Sequence, residues 1–256
     1  MSAFMSAFAS LVGALADALH PLVQNASTAA AIVLFTALVR LAVHPLSRAA
    51  ARGQKAQRRL QPQIAELRKK HKKNPERMQK ALMELHKEEK VSPLSGCLPS
   101  LLQMPAFFLL YHLFSSTRIG DEANELLGHQ LFGAPLGERW RDALADGGLF
   151  GAQGLVYVGL FVIVAAVATF NYGRTKRQMA ANPVTPATGP DGQPVPGMGA
   201  MTKVMPLMSF FTLFTVAFVP LAAALYVVTS TTWTAVERAY LYRDMPAAGA
   251  AMAPAA

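Results

Sequence analysis

The sequence predicts an all-α membrane protein with five transmembrane helices, a cytoplasmic helical hairpin and an N-terminal external amphipathic helix. Three observations support this fold class. Of the 256 residues, 52% are hydrophobic and only 15% are charged, whereas a typical soluble domain carries about 25% charged residues. Five apolar segments have roughly the length needed to cross a bilayer. The net charge of +9 is concentrated in the loops that flank them, as is typical of membrane proteins with a basic cytoplasmic side.

Residues 1–25 are predicted to form an amphipathic helix that lies on the outer face of the membrane. Apolar side chains recur there at helical spacing, and polar residues such as Ser6 and Asp17 lie off that stripe. The stripe consists of Phe4, Phe8, Leu11, Leu15, Leu19 and Leu22. The stretch 1–24 has no Lys or Arg, which is atypical of a secretory signal. A cleaved signal sequence is therefore kept only as the alternative.

The apolar segments define five predicted spans. These spans are residues 26–46, 96–116, 151–172, 204–219 and 221–242. Residues 204–236, which cover most of the last two spans, form one uncharged stretch. As a single helix this stretch would be about 50 Å long and would exceed a hydrocarbon core of about 30 Å. We therefore predict two short helices joined at Pro220.

The charges of the loops predict the orientation. The loop 47–95 holds 14 Lys and Arg against five acids, and the loop 173–203 holds four against one. The loop 117–150 holds only three against six acids. Since cytoplasmic loops carry the excess of Lys and Arg, the first two loops are predicted to be cytoplasmic and 117–150 external. A multi-pass protein with its N-terminus outside and its C-terminus in the cytoplasm follows.

The cytoplasmic segments are of two kinds. Residues 47–95 are predicted to form a basic helical hairpin that turns near Asn74 and Pro75, with apolar stripes that pack together. The stripes are Leu60, Ile64 and Leu67 on one helix and Met78, Leu82 and Leu85 on the other. The loop 173–203 is rich in Pro and Gly, and the tail 243–256 is mostly Ala and Pro. Such compositions predict disorder.

Arg40 is the most informative single residue. At 1.5 Å per residue from Leu46, it lies about 9 Å inside the bilayer, where an arginine costs several kcal/mol. One interpretation is that its long side chain reaches the headgroups. The other is that it faces a hydrated groove between helices. Polar residues in the spans favour the groove, and they are Thr36, Gln103, Tyr226, Ser230 and Thr231.

Several classes of function lack the residues that they need. The sequence has one cysteine, Cys97, and its six histidines have no metal-ligand spacing. It shows no phosphate loop, no Ser-His-Asp set and no paired carboxylates within the spans. We therefore predict that the protein is not an enzyme and that it needs neither a cofactor nor a metal. The basic residues flank membrane spans, so no specific nucleic acid is predicted as a partner.

On these motifs the sequence resembles the YidC family of membrane protein insertases. The most specific segment runs from Ser92-Pro93-Leu94-Ser95-Gly96-Cys97-Leu98-Pro99 to Leu102-Gln103-Met104-Pro105. Leu38-Val39-Arg40-Leu41 with His44-Pro45-Leu46 closes the first span, and Met205-Pro206, Pro220-Leu221 and Leu225-Tyr226 mark the last two. The fifth span departs from the family pattern, since Val227 and Thr231 stand where a second aromatic residue and an amide are common.

The resemblance implies a five-helix core in a bacterial plasma membrane, with a groove open to the cytoplasm and to lipid but closed outside. Arg40 and Thr36 match the groove arginine and its preceding hydroxyl position. The implied function is to move short hydrophilic segments of nascent membrane proteins through the groove and to release their apolar helices into lipid. The apolar faces expected to contact a substrate include Leu102, Met104, Met205 and Met208.

The implied partners are nascent membrane proteins and the lipid bilayer, with the Sec translocon, signal recognition components and the ribosome as further candidates that the basic hairpin could contact. Two alternatives from other classes remain open at this point. The first is a transporter of small anionic solutes that uses Arg40 as its anion site. The second is a membrane scaffold that recruits partners through the hairpin alone.

Overall fold

The computed structural model describes residues 2–71, 74–89, 98–119, 122–181 and 204–243, and these residues are mostly helical. The expectations for residues 96–97, for the Pro- and Gly-rich stretch 182–203 and for the tail 244–256 lie outside the described residues. The chain divides into two compact units. The first comprises Met1–Val43, Gln103–Phe170 and Ser209–Glu237, and the second comprises His44–Leu102, Asn171–Met208 and Arg238–Ala256.

The described part of the chain contains these helices: α1 (Ser2–Val23), α2 (Ser27–Arg59), α3 (Gln61–Lys70), α4 (Pro75–Glu88), α5 (Leu98–Ser115), α6 (Trp140–Ala145), α7 (Ala152–Ala181), α8 (Phe211–Phe218) and α9 (Leu221–Leu241). Short 3-10 turns cover Gln24–Ala26, Glu125–Gly128 and Met205–Phe210. By length and composition, two helical runs could cross a membrane, Ser6–Arg59 and Ala152–Ala180, while the apolar run Met205–Phe218 is shorter.

Two small antiparallel ribbons lie in the loop between α5 and α6. Strand β1 (Arg118–Ile119) pairs with β2 (Glu122–Ala123), and β3 (Gln130–Leu131) pairs with β4 (Ala134–Pro135). The all-α expectation did not include these strands. Each strand has two residues, which is too short for the alternating pattern that reveals a strand in a sequence.

The first unit is built around one apolar core. Its largest fully buried side chains include Ile32 of α2, Phe114 of α5, Tyr157 of α7 and Tyr226 of α9. On α9 the run Ala222, Ala223 and Ala224 is completely buried. Because alanine carries only a methyl group, neighbouring elements can approach the backbone of α9 closely at this end. The amphipathic helix α1 contributes Val12 and Ala16 to the same core, while Leu11 and Leu22 of the expected stripe are exposed.

The loop between α5 and α6, called the capping loop below, caps the start of α9. The carbonyl oxygen of Glu138 accepts a hydrogen bond from Leu221 N at 2.8 Å, and that of Leu136 accepts one from Ala222 N at 2.9 Å. The first N–H groups of a helix have no partner within the helix, so the loop satisfies two of them. Tyr157 Oη donates to the same Glu138 carbonyl at 2.6 Å and ties the cap to α7.

A buried asparagine fastens the same loop to α5. Asn124 Nδ2 donates to the carbonyl oxygens of Leu113 at 2.8 Å and of Ser116 at 2.9 Å. The last carbonyl groups of a helix also lack partners within it. Asn124 is 6% exposed, so it both ends α5 and holds the loop against it. The loop is thus bonded to α5, α7 and α9 within the first unit.

The second unit contains the helical pair α3 and α4. Leu60 and Ile64 are buried, and α3 contacts α4. Asn74 begins α4, because its Oδ1 accepts a hydrogen bond from Arg77 N at 3.0 Å, which is the geometry of a helix N-cap. Pro75 then occupies the first turn, where no N–H is needed.

Gly154, near the start of α7, lies very close to the backbone of the residues that precede the helix. A Cβ atom on Gly154 would lie 2.3 Å from the carbonyl oxygen of Gly148 and 2.7 Å from that of Leu149. Both obstacles are backbone atoms, so we expect Gly154→Ala to lower the free energy of unfolding by about 1–3 kcal/mol. Gly159 on the same helix has nothing within 4 Å of a Cβ. We expect Gly159→Ala to be neutral or stabilising by up to about 1 kcal/mol.

Unfolding of the two purified variants in detergent, followed by circular dichroism against denaturant concentration, checks this expectation. Equal stability of the two variants would contradict the close approach of Gly154 to the carbonyl groups of Gly148 and Leu149.

Candidate functional site

A contact between α2 and α9 forms the centre of the candidate site. Arg40 is partly buried, and its Nη2 donates a hydrogen bond to Ser230 Oγ. Ser230 is only 3% exposed. The two residues are 190 positions apart in sequence, so the contact links α2 to α9, the last helix of the described residues. The guanidinium is therefore directed towards a neighbouring helix, which favours the groove interpretation over a side chain that only reaches for headgroups.

Two of the expected hydroxyl groups bond to their own helices. Thr36 Oγ1 donates to Ile32 O at 2.7 Å, and Thr231 Oγ1 is 2.8 Å from Val227 O and 3.1 Å from Val228 O. Such bonds let a hydroxyl sit within an apolar helix without any ligand. Thr36 is also 1% exposed, whereas Thr231 is partly exposed. Of the two, Thr231 is the one that an incoming chain can reach.

Tyr226 is part of the core of the first unit. It is 1% exposed, and its ring centroid lies 6.0 Å from that of Phe114 at an interplanar angle of 42°. Tyr226 is one helical turn before Ser230, so both lie on the same face of α9. The structure therefore brings together Arg40, Ser230 and the ring of Tyr226 in one unit, with the ring serving as packing.

One polar residue of α9, Thr234, was not singled out with the site, although it extends it. Thr234 Oγ1 donates to Ser230 O at 2.8 Å, one turn further along the same face. Trp233 Nε1 and Thr232 Oγ1 are buried atoms that have no hydrogen-bond partner among the described residues. Trp233 lies three residues from Ser230 and on the same side of α9, whereas Thr232 lies two residues away and faces another side. Spacing of four residues from Ser230 was the signal that could have identified Thr234.

The remaining predicted residues are not all described. The side chains of Leu102 and Gln103 lie outside the described residues, although both positions belong to α5. Met104 of α5 is 67% exposed. Met205 and Met208, in the 3-10 turn before α8, are each 60% exposed. Exposed, flexible thioether side chains suit an apolar surface that accepts different partners, and their roles stay predictions.

The capping loop carries an unusual carboxylate. Glu138 Oε2 is buried and has no hydrogen-bond partner in the described part of the chain. Desolvation raises the pKa of the Glu138 carboxyl above its ordinary value, and the charges of Asp146 and Asp142 raise it further. The carboxylates of Glu138, Asp142 and Asp146 thus lie close enough to disfavour one another's negative charge. No group of three His, Cys, Asp or Glu residues that could hold a metal occurs among the residues described.

The fold and the site define a helical membrane protein with a polar contact, centred on an arginine, between its long apolar helices. A family model described as 60Kd inner membrane protein matches residues 18–248. The chain therefore belongs to this family, the YidC family of membrane protein insertases. The resemblance noted from the sequence is confirmed, as is the prediction that the chain is not an enzyme, because the family is a non-enzymatic one.

Individual relatives show where the similarity lies. A membrane protein insertase YidC of Clostridium perfringens is 44% identical over 84 residues, which cover 33% of this chain and 35% of the relative. One of Streptomyces avermitilis is 28% identical over 227 residues, covering 85% of this chain and 52% of the relative. One of Chlorobium limicola is 37% identical over 86 residues, which cover 34% of this chain and 15% of the relative. The chain thus spans about half or less of the length of these relatives.

Proposed function

We propose that this chain is a membrane protein insertase and chaperone that spans a bacterial plasma membrane five times, with its N-terminus outside and its C-terminus in the cytoplasm. The observation that carries the proposal is the contact of Arg40 with Ser230 between α2 and α9. A charged guanidinium within an apolar span is costly unless polar groups or water surround it. The contact supports an interior polar surface, and family membership supports insertion as its use.

A further polar atom supports hydration of this surface. Trp233 lies three residues from Ser230 and so on the same side of α9, and its Nε1 is buried and has no partner among the described residues. Buried polar atoms in proteins are nearly always bonded to protein or to water. We infer that water or a polar group of the substrate bonds to Trp233 Nε1. This gives a hydrophilic segment a path on which its lost hydration is partly replaced.

In the proposed mechanism, the hydrophilic segment and the apolar helix of a substrate follow different paths. The short hydrophilic segment enters the groove, where Arg40 can pair transiently with a substrate Asp or Glu. The membrane potential, positive outside, then favours outward movement of an acidic group by about 2.3 kcal/mol per charge per 100 mV. The apolar helix contacts the exposed methionines and leucines and partitions into lipid, which supplies the main driving force.

The capping loop supports closure of the external end. Its carbonyl groups satisfy the start of α9, and Asn124 fastens it to α5. In the proposed orientation this loop is external, so a groove between α2 and α9 opens towards the cytoplasm and lipid. A substrate segment therefore has to cross only a thin outer layer.

Site-specific photocrosslinking tests the proposal. The photoreactive residue is placed at position 231, which is partly exposed on α9, or at 103 on α5, and a stalled nascent membrane protein with a short acidic external segment is the target. We expect crosslinks from both positions to the hydrophilic segment. Val162 of α7, which is 63% exposed, is the matched control and should crosslink to lipid.

The same experiment separates the alternatives. A transporter of small solutes gives no crosslink to the nascent chain from any position. A scaffold gives crosslinks only from the hairpin, for example from position 83 of α4, where Met83 is 55% exposed. Either pattern would overturn the proposed insertion groove.

A further inference from the structure

A cluster of cations lies in the second unit, where the C-terminal parts of α7 and α9 contact each other. Arg174 of α7 follows the predicted span 151–172 by two residues. Its Nη2 donates to the carbonyl oxygen of Arg238 at 2.7 Å, near the C-terminus of α9. Its guanidinium carbon also lies 5.8 Å from the ring centroid of Tyr242. The guanidinium is thus held in place by a carbonyl group and an aromatic ring.

The charged side chains that act on Arg174 among the described residues are cations. Arg238 and Arg58 repel its guanidinium, and Tyr242 is the remaining group that acts on it electrostatically. Arg243 adds a further cation, over the ring of Tyr240 at 4.7 Å. Like charges that are brought together and partly desolvated are unfavourable unless an anion joins them.

We propose that Arg58, Arg174 and Arg238 form a binding site for a phosphate group, supplied by the headgroup of an anionic phospholipid. Guanidinium groups match phosphate oxygens with paired hydrogen bonds. Tyr240 and Tyr242 lie beside the cluster, and tyrosine is enriched where helices leave the bilayer. Anionic lipids attract such cations at the membrane surface by about 1 kcal/mol per charge. The inference is independent of insertion activity and requires only that α7 and α9 end at the membrane surface.

The role of this site is to fix the C-terminal parts of two helices to one lipid. The carbonyl of Arg238 belongs to the last turn of α9, where a cation is stabilised by the negative end of the helix dipole. Arg174 already bonds to this carbonyl group. A phosphate bound to Arg174, Arg58 and Arg238 would neutralise part of their positive charge and join α7 to α9. Binding should therefore raise the thermal stability of the protein.

Lipid titration of the full-length protein in detergent tests the site. Phosphatidylglycerol, phosphatidylcholine and inorganic phosphate are added separately, with bound lipid counted by native mass spectrometry and unfolding followed by heating. We expect phosphatidylglycerol to bind and to raise Tm, and phosphatidylcholine to do so much less. Arg238→Gln should weaken phosphatidylglycerol binding by about tenfold, as the loss of one charge-assisted hydrogen bond implies.

Two variants distinguish the loss of this site from the loss of any positive charge. Arg238→Gln leaves the backbone carbonyl that Arg174 bonds, so the helix contact can persist. Lys176→Gln is the matched control, because Lys176 is exposed and lies two residues from Arg174, on the opposite side of α7. Equal weakening by both variants, or equal binding of both lipids, would overturn the site. Equal stabilisation by inorganic phosphate would support the phosphate site and assign it to a free anion.

Discussion

Replacing Arg40 with alanine is expected to reduce the insertion of substrates with acidic external segments by about tenfold or more. The reason is the loss of a charge-assisted hydrogen bond, worth about 1.5–3 kcal/mol, at the point where the hydrophilic segment crosses the apolar layer. Insertion of substrates with apolar external segments should be unchanged, because these segments carry no charge that needs a partner. The measurement is insertion into liposomes that contain the purified protein alone, scored by protection of the external segment from protease.

Two further variants show whether charge is the cause. Arg40→Lys keeps the positive charge and should retain most of the activity if only charge and hydration matter. Arg48→Ala removes one positive charge from an exposed position of the same helix and should leave insertion unchanged. If Arg40→Ala inserted acidic and apolar substrates equally well, the proposed role of the groove arginine would be wrong.

Some features of this fold could be predicted from the local sequence. Long apolar segments and Pro220 indicate where helices lie and break, and the structure ends α8 at Phe218 and begins α9 at Leu221. Proline lacks an N–H and restricts the residue before it, so this break has a local cause. Helix ends are less well specified. Helix α2 runs through Pro45 as far as Arg59, and α7 continues to Ala181, because polar residues after a span can extend the same helix into water.

The structure of the loop between α5 and α6 could not be predicted from its sequence. Its two ribbons have strands of two residues each, and its structure depends on bonds to distant helices. Asn124 bonds to α5, and the carbonyl groups of Leu136 and Glu138 bond to α9. These partners are far away in sequence, so no local pattern reveals them. A buried asparagine in a loop of mixed composition gave no signal by itself.

The candidate site was predictable in part for a similar reason. A single arginine in an apolar segment stands out, because its cost in lipid is high wherever it points. Its partner Ser230 was one of several hydroxyl residues in the last span, and only the packing of α2 with α9 selects it. Conversely, Thr36 matched the expected face but bonds to Ile32 within its own helix. Sequence thus indicated the charge, and tertiary structure determined which polar group meets it.

Truncation of Tyr226 is expected to destabilise the first unit strongly. Its side chain is 1% exposed and packs against Phe114 with ring centroids 6.0 Å apart. Truncation of a buried aromatic residue leaves a cavity and costs about 3–5 kcal/mol. Tyr226→Ala should therefore lower the unfolding free energy by about 3 kcal/mol. Tyr240→Ala on the same helix is the matched control. Tyr240 is 61% exposed and contacts Arg243, so its truncation should cost less than about 1 kcal/mol.

Tyr226→Phe separates the ring from the hydroxyl group. If Tyr226 acts through packing, the phenylalanine variant keeps most of the stability and inserts substrates at nearly the normal rate, since the ring against Phe114 is unchanged. If the hydroxyl instead contacts the substrate, the same variant stays folded but loses insertion. Chemical unfolding and liposome insertion, measured on the same preparations, distinguish the two results. The burial of Tyr226 leads us to expect the first, which assigns contact with the hydrophilic segment to Arg40 and the partly exposed Thr231 rather than to the tyrosine.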